Sequence, residues 1–451
     1  MMKLLVAAVL AAFCSAVAAQ ETLVIYFAKG FYPAEDKALD EVIAKFQAKT
    51  GVKVELSRYS PQEMIPKTVA ALDSGTPPDV VYGDVFDFQV AGKWAFEGRL
   101  EDLSGILTPM KARFLPNTLE TTNMWNDKAK KRAYYAFPVK RQTMHIQYWK
   151  DMLAEAGFKE SDIPKTWKAY FDFWCGPVQE GYRKKTGKRV YSVGSPMGVD
   201  SSDSFYSFLT YMDAYNVKLV NDDGKLNLGK ATRDGLINAL IDYTFTVNKG
   251  CTPPSAINWK DPDNNVNFHN KTIIMTHNAT ISIASKWLDD MNNDKLKPEE
   301  RAQAKKNYEE LIATAGFPNK PDGKPMQYRA AVKVGVIFNN AKNMKRAKEF
   351  VSFFMQDENL QPYVEGALGR WYPVTKTGAA SRFWTDDPHR KIVHQQFSAG
   401  TVTFEFTKNW KFTILNNENV WAKAMNRVVT DKWPVEKAVD ELMARIKEVA
   451  G

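Results

Sequence analysis

The chain has 451 residues, more than one hydrophobic core ordinarily organises, so two domains are expected. Its 44% hydrophobic and 25% charged residues fit a soluble globular protein. The formal charge of +9 is scattered along helices with Asp and Glu interleaved, and the lack of a basic block sets aside a nucleic-acid binder.

Residues 1–19 stand apart. Lys3 precedes the apolar run LLVAAVLAAF, and small residues end at Val17-Ala18-Ala19, the pattern of a cleaved export signal. A membrane anchor is the alternative, but the run is short for a span. A lipoprotein signal at Cys14 would need a small residue where Phe13 stands. Two cysteines remain beyond this segment, Cys175 and Cys251; in an exported chain an even pair reads as a disulfide, with two buried thiols as the alternative.

Glu21 to Ala28 reads as a strand with a buried apolar run. Leu39, Val42, Ile43 and Phe46 recur at helical spacing, and Gly51 ends that helix. Val52, Val54 and Leu56 alternate as a second strand. Ser60-Pro61-Gln62-Glu63 is a capping box with proline at the first helical position, and Asp79 to Tyr82 is a third strand. A β-α-β-α-β order implies a parallel sheet, whose ligands gather at the carboxyl ends of the strands, near 28–32 and 83–86.

The segment 133–151, AYYAFPVKRQTMHIQYWKD, reads as an extended crossing into a second α/β domain. Pro138 disfavours helix before it, and 143–149 alternates like a strand. Beyond it follow a helix bearing Trp167, Tyr170, Phe171 and Trp174, a strand at 189–193 and a helix at 204–214. A hairpin at 217–228, the helical stripe Leu236 to Phe245, a strand at 272–276 and a charged surface helix at 295–314 come next. The run 330–338 alternates like a second crossing; helices then fill 347–365, an extended turn covers 369–374, and helices near 416–429 and 435–449 close the chain.

Several segments in this order carry a resemblance. They are Leu23-Val24-Ile25, Pro78-Asp79-Val80-Val81, the Tyr-x-Phe-Pro crossing with Tyr148-x-Lys150-Asp151-x-Leu153-x-x-Ala156-Gly157, Pro164-Lys165-Thr166-Trp167, Ile274-Met275-Thr276-x-Asn278 and Tyr372-Pro373-Val374. Together they resemble the extracellular solute-binding proteins of bacterial ABC importers, in the carbohydrate-binding, maltose-binding-protein-like family. The resemblance implies two discontinuous α/β lobes joined by a two- or three-segment hinge. Residues 20–138 and 332–372 would form the first lobe, and 139–331 and 373–451 the second. It implies a periplasmic monomer that needs no cofactor or metal and hands a small carbohydrate or polyol to a membrane permease.

Carried over by position, the resemblance places ligand contacts at Lys29, Phe31 and Tyr32, then Asp84 and Phe86, then Arg141 and Gln142. The second lobe supplies Asp203, Phe205, His277 and Asn278. Arg370, Trp371 and Tyr372 follow, and Asn417 and Glu418 complete the set. Sugars need aromatic faces for their C–H surface and planar polar groups for their hydroxyls. Gly83 and Ile281 stand where maltodextrin binders tend to carry tryptophan, which favours a monosaccharide, disaccharide or polyol over a long oligosaccharide. Arg141 and Arg370 together would suit a carboxylate or phosphate, so an anionic ligand such as glycerol phosphate or an acidic sugar is the alternative. A cationic amine in an aromatic cage comes third. An exported carbohydrate-active enzyme is less favoured, because no HExxH, GxSxG, P-loop or paired CxxC motif is present.

Overall fold

A computed structural model describes residues 21–451; the expected export signal lies outside the described residues. The strands in chain order are β1 (Thr22–Ala28), β2 (Lys53–Tyr59), β3 (Val80–Gly83), β4 (Asn123–Asn126), β5 (Lys131–Tyr134), β6 (Phe137–Gln142) and β7 (His145–Trp149). They continue with β8 (Tyr191–Gly194), β9 (Ile273–Asn278), β10 (Ile312–Ala315), β11 (Tyr328–Arg329), β12 (Ala331–Val336) and β13 (Thr401–Val402). One five-stranded sheet has the order β2-β1-β3-β12-β6, and a four-stranded sheet has the order β10-β7-β9-β8. These two sheets are the centres of two α/β lobes.

In the first lobe, β2, β1 and β3 are parallel, and β12 enters antiparallel to both β3 and β6. Leu23, Ile25 and Phe27 alternate on β1 and are wholly buried. The helix Pro33–Thr50 turns Leu39, Val42, Ile43 and Phe46 inward, at the expected spacing. Burying each such side chain contributes about 1.5–3 kcal/mol before conformational entropy is counted. The capping box at Ser60 and Glu63 forms.

The second lobe packs an aromatic core of Trp167, Phe171, Tyr211 and Tyr243 beside its sheet. Cys175 and Cys251 are joined in this lobe, with Cα atoms 5.1 Å apart. Its C-terminal part reaches back to the first lobe: the helix Phe412–Asn417 packs on the short helix Phe86–Gln89, and Trp410 stacks on Phe96 at 4.6 Å.

Some expectations need correction. The 217–228 hairpin reduces to a single bridge between Val220 and Leu226, because the Asp222-Asp223-Gly224 turn leaves too few paired residues for strands. The charged 295–314 segment is helical only through 311; Ile312–Ala315 is an edge strand paired with β7. The expected lobe boundary at 138 and 139 falls inside β6, which stays in the first sheet as far as Gln142. The chain passes between sheets at Thr143 and Met144.

Candidate functional site

Between the lobes lies a cavity with an empty volume of about 570 Å³, including the part open to solvent. The first lobe lines it with Phe31, Asp84, Phe88, Gln142, Lys333, Arg370 and Trp371. The second lobe adds Asp203, Tyr206, Asp261, Asn265, Asn278 and Ser282. A wider groove lined by Gln62, Phe205, Lys260 and Asn417 shares Pro61, Val85, Phe88, Ser202 and Asp261 with the cavity and forms its mouth. The walls meet at the carboxyl ends of β1, β3 and β9, where a parallel sheet leaves its loops free to carry a site.

The first-lobe wall is a buried network of charges. The Lys140 ammonium donates to Glu35 Oε1 at 2.7 Å and lies 3.4 Å from Asp84 Oδ1. Arg370 pairs with Glu35 Oε2 at 3.1 Å, and Trp371 Nε1 donates to Glu35 Oε1 at 3.0 Å. Glu35 also accepts from the Phe31 N–H at 3.1 Å, and Lys140 and Arg370 hold its carboxyl down to about 2 against the burial that opposes ionisation. Lys333 pairs with Asp87 at 3.1 Å and donates to the Tyr206 hydroxyl at 2.8 Å. Burial outweighs that pairing and pushes the Asp87 carboxyl up to about 6. The Tyr82 hydroxyl donates to Asp84 at 2.5 Å.

The second-lobe wall is built from amides, hydroxyls and carboxylates. Asn278 Nδ2 donates to Asn265 Oδ1 at 2.6 Å and to Ser282 Oγ at 3.1 Å. Asp261 accepts from the Ser201 and Ser202 hydroxyls, each at 2.7 Å, and from the Asp203 N–H at 3.1 Å. Asp203 accepts from Asn264 Nδ2 at 3.2 Å, while burial and the nearby Asp261 push its carboxyl well up. Hydrogen bonds also tie the walls together: Lys333 donates to the Tyr206 hydroxyl, the Tyr32 hydroxyl donates to the Ser282 carbonyl, and Asn416 Nδ2 donates to the Phe88 carbonyl at 3.2 Å.

Of the residues expected at the site, Phe31, Asp84, Gln142, Asp203, Asn278, Arg370 and Trp371 converge on the cavity. Phe205 and Asn417 line its mouth. Tyr32 lies behind the wall in its bond to Ser282. The others point elsewhere. Lys29 is exposed outside the cleft. Phe86 is buried in the first-lobe core against Trp94, with ring centroids 5.2 Å apart. A β-carbon at Gly83 would lie 2.7 Å from that ring, so Gly83 is there for packing. His277 is buried among Phe171, Tyr211 and Phe317, with both ring nitrogens unpartnered and its pKa lowered to about 3 by burial. Tyr372 stacks on Phe397 at 4.2 Å behind the wall. Glu418 is held by Arg445 at 2.5 and 3.0 Å.

Arg141 is a correction with a simple cause. Side chains alternate along a strand, so Lys140 and Gln142 share one face of β6 and Arg141 takes the other. Its guanidinium donates to Thr401 Oγ1 at 2.9 Å and lies over Phe397 at 4.9 Å. Arg141 and Arg370 do not converge, and Arg370 is already neutralised by Glu35. The two-arginine grip proposed for an anion is therefore not built.

Glu35, Asp87, Lys140, Lys333, Tyr206 and Asp261 escaped the sequence reading. One signal was present: Lys333 is a lone charge inside the apolar run Ala330 to Phe338, which a buried strand tolerates only with a partner. Glu35 stands in the first turn of its helix, where an acid is ordinary and signals no site. Among the described residues no cluster of His, Cys, Asp or Glu could hold a metal ion, and no helix is long and apolar enough to cross a membrane.

Comparison with known proteins agrees with this architecture. A solute-binding protein of an ABC transporter from Thermotoga lettingae, bound to α-D-tagatose, aligns with TM-score 0.75 and 19% identity over 96% of this chain and 100% of that one. A sugar transporter protein from Arthrobacter chlorophenolicus with laminaribiose aligns with TM-score 0.73 and 17% identity over 95% and 100%. A solute-binding protein from Agrobacterium radiobacter with ribitol aligns with TM-score 0.70 and 16% identity over 95% and 98%. No curated protein sequence matches. Residues 41–392 match the family model described as bacterial extracellular solute-binding protein. With most of its length under that match and its two lobes facing a polar cleft, the chain belongs to the bacterial extracellular solute-binding protein family.

Proposed function

We propose that this protein captures a small carbohydrate or polyol in the interlobe cleft and delivers it to the permease of an ATP-driven importer. The observation that carries this reading is the lining itself. Carboxylates and carboxamides from both lobes face one cavity beside the rings of Phe31 and Trp371. Such a wall offers many hydrogen bonds in fixed directions and an apolar surface for C–H groups. Gln142 faces the cavity, is 6% exposed, and its side chain has no hydrogen bond to any described residue. Its carboxamide opens on the cavity with a donor and an acceptor free for a ligand group. The tagatose, laminaribiose and ribitol carried by structurally similar proteins support the ligand class.

In this reading Asp84, Gln142, Asp203, Asn278 and Arg370 fix the hydroxyls, and Phe31 and Trp371 supply the stacking faces. The lobes rock about the passage at 143–144 and a second one just before β12, closing as a monomer in the periplasm after export by the 1–19 signal. The protein performs no chemistry on its ligand. The test is a thermal-shift panel of monosaccharides, disaccharides and polyols. A ligand at a hundred times its Kd adds about 2.7 kcal/mol of stability and raises Tm visibly. A panel without any upward shift would end the carbohydrate reading.

A further inference from the structure

We infer that the cleft is built for a carbohydrate or polyol bearing a protonated amine, with the ammonium seated on Asp203 and the Gln142 carbonyl within its reach. This inference rests on the carbohydrate reading above and names the ligand class more narrowly.

The argument starts from charge pairing around the cavity. Every cation there is already matched: Lys140 by Glu35 and Asp84, Arg370 by Glu35, and Lys333 by Asp87. The second lobe brings two carboxylates, Asp203 and Asp261, and no ion pair among the described residues involves either. Asp261 is well served by neutral donors from Ser201, Ser202 and the Asp203 N–H. Asp203 is only 7% exposed and receives one side-chain donor, from Asn264. A buried carboxylate without a countercharge costs several kcal/mol unless it takes up a proton or meets a cation.

The unpartnered Gln142 carboxamide on the facing wall is an independent sign that a ligand group belongs here. An ammonium has three donors and no acceptor. Asp203 and the Gln142 carbonyl are acceptors for two of them, and charge assistance strengthens the first. A carboxylate or phosphate ligand would meet Asp84, Asp203 and Asp261 with no spare cation. The groups that set the titration of Asp203 are Asp261, which raises it, and Arg370 and Asn264, which lower it.

The test is calorimetry at pH 7 on matched pairs that differ only in an amine: glucosamine and glucose, galactosamine and galactose, mannosamine and mannose, aminosorbitol and sorbitol. The expected result is at least one pair in which the amine binds about tenfold tighter or more, the worth of one charged hydrogen bond. Asp203→Asn should bring that ratio to about one while the unfolding midpoint stays in place. Should Asp203→Asn not fold, the wild type decides: affinity for the amine falls as acid protonates Asp203, and affinity for its neutral counterpart does not. Neutral sugars binding as tightly as their amines, or an amine preference that survives in Asp203→Asn, would overturn this inference and leave the carbohydrate reading intact. Failure of every member to bind would overturn both.

Discussion

The two walls of the cleft solve the burial of charge in opposite ways. On the first lobe, Lys140, Lys333 and Arg370 are each locked to an acid within 3.1 Å, so that wall is neutralised before any ligand arrives. On the second lobe, Asp203 and Asp261 are held by hydroxyls and N–H groups alone. Glu35 and Asp87 of the first wall are therefore structural, whereas no cation among the described residues pairs with Asp203. Removing an acid from each wall should show the difference.

The largest effect is expected at Glu35. Glu35→Ala strands Lys140 and Arg370 without their shared carboxylate and should cost about 3–5 kcal/mol in urea unfolding. Asp203→Asn should change stability by less than about 1 kcal/mol, since it removes a charge that has no partner. Equal losses at the two positions would erase the contrast between the walls.

The disulfide belongs to the second lobe alone. Replacing Cys175 and Cys251 together by Ser opens a loop spanning 76 residues in sequence and should cost about 2–4 kcal/mol. The loss should appear as earlier unfolding of second-lobe peptides in hydrogen exchange, with β1 to β3 keeping their protection. Simultaneous weakening of both lobes would mean that they unfold as one unit.

Acid should also act on the second lobe first. His145 and His277 are buried there as neutral rings, with pKa values lowered by burial to about 4 and about 3. Between the ordinary value near 6.5 and these, the unfolded chain binds protons that the folded one refuses. Their contribution is thus complete above pH 6.5 and is lost as pH falls toward 4. His277→Phe, which suits a ring lined by Phe171, Tyr211 and Phe317, should flatten the decline by on the order of 1–2 kcal/mol. Glu35, with its carboxyl held at about 2, stays ionised through the same range. A smaller effect is expected from Trp371→Phe, which removes one buried donor to Glu35 and should cost about 1 kcal/mol.

Much of this was legible in the chain. The β-α-β-α-β start, the crossing near Pro138 and the helix stripes follow from apolar spacing, and seven of the cavity residues follow from the family resemblance that the motif order carries. What sequence spacing could not supply was which side chains share a wall. Arg141 and Gln142 are neighbours in the chain and opposites on β6; strict alternation would have separated them. Lys140 and Glu35 lie 105 residues apart, and only the folded sheet brings them together. Glu418 sits in the expected segment, yet Arg445 from the last helix takes it away from the cleft. Phe86 follows β3 as expected, but the space beside Gly83 draws its ring into the core.

The central claim is that both walls close on one ligand. Hydrogen exchange with and without the tightest-binding member of the sugar panel tests it most directly. Slower exchange in 84–90 and 140–142 of the first lobe, together with 202–206 and 278–282 of the second, is the expected result. Slowing confined to one lobe, or to neither, would contradict the account.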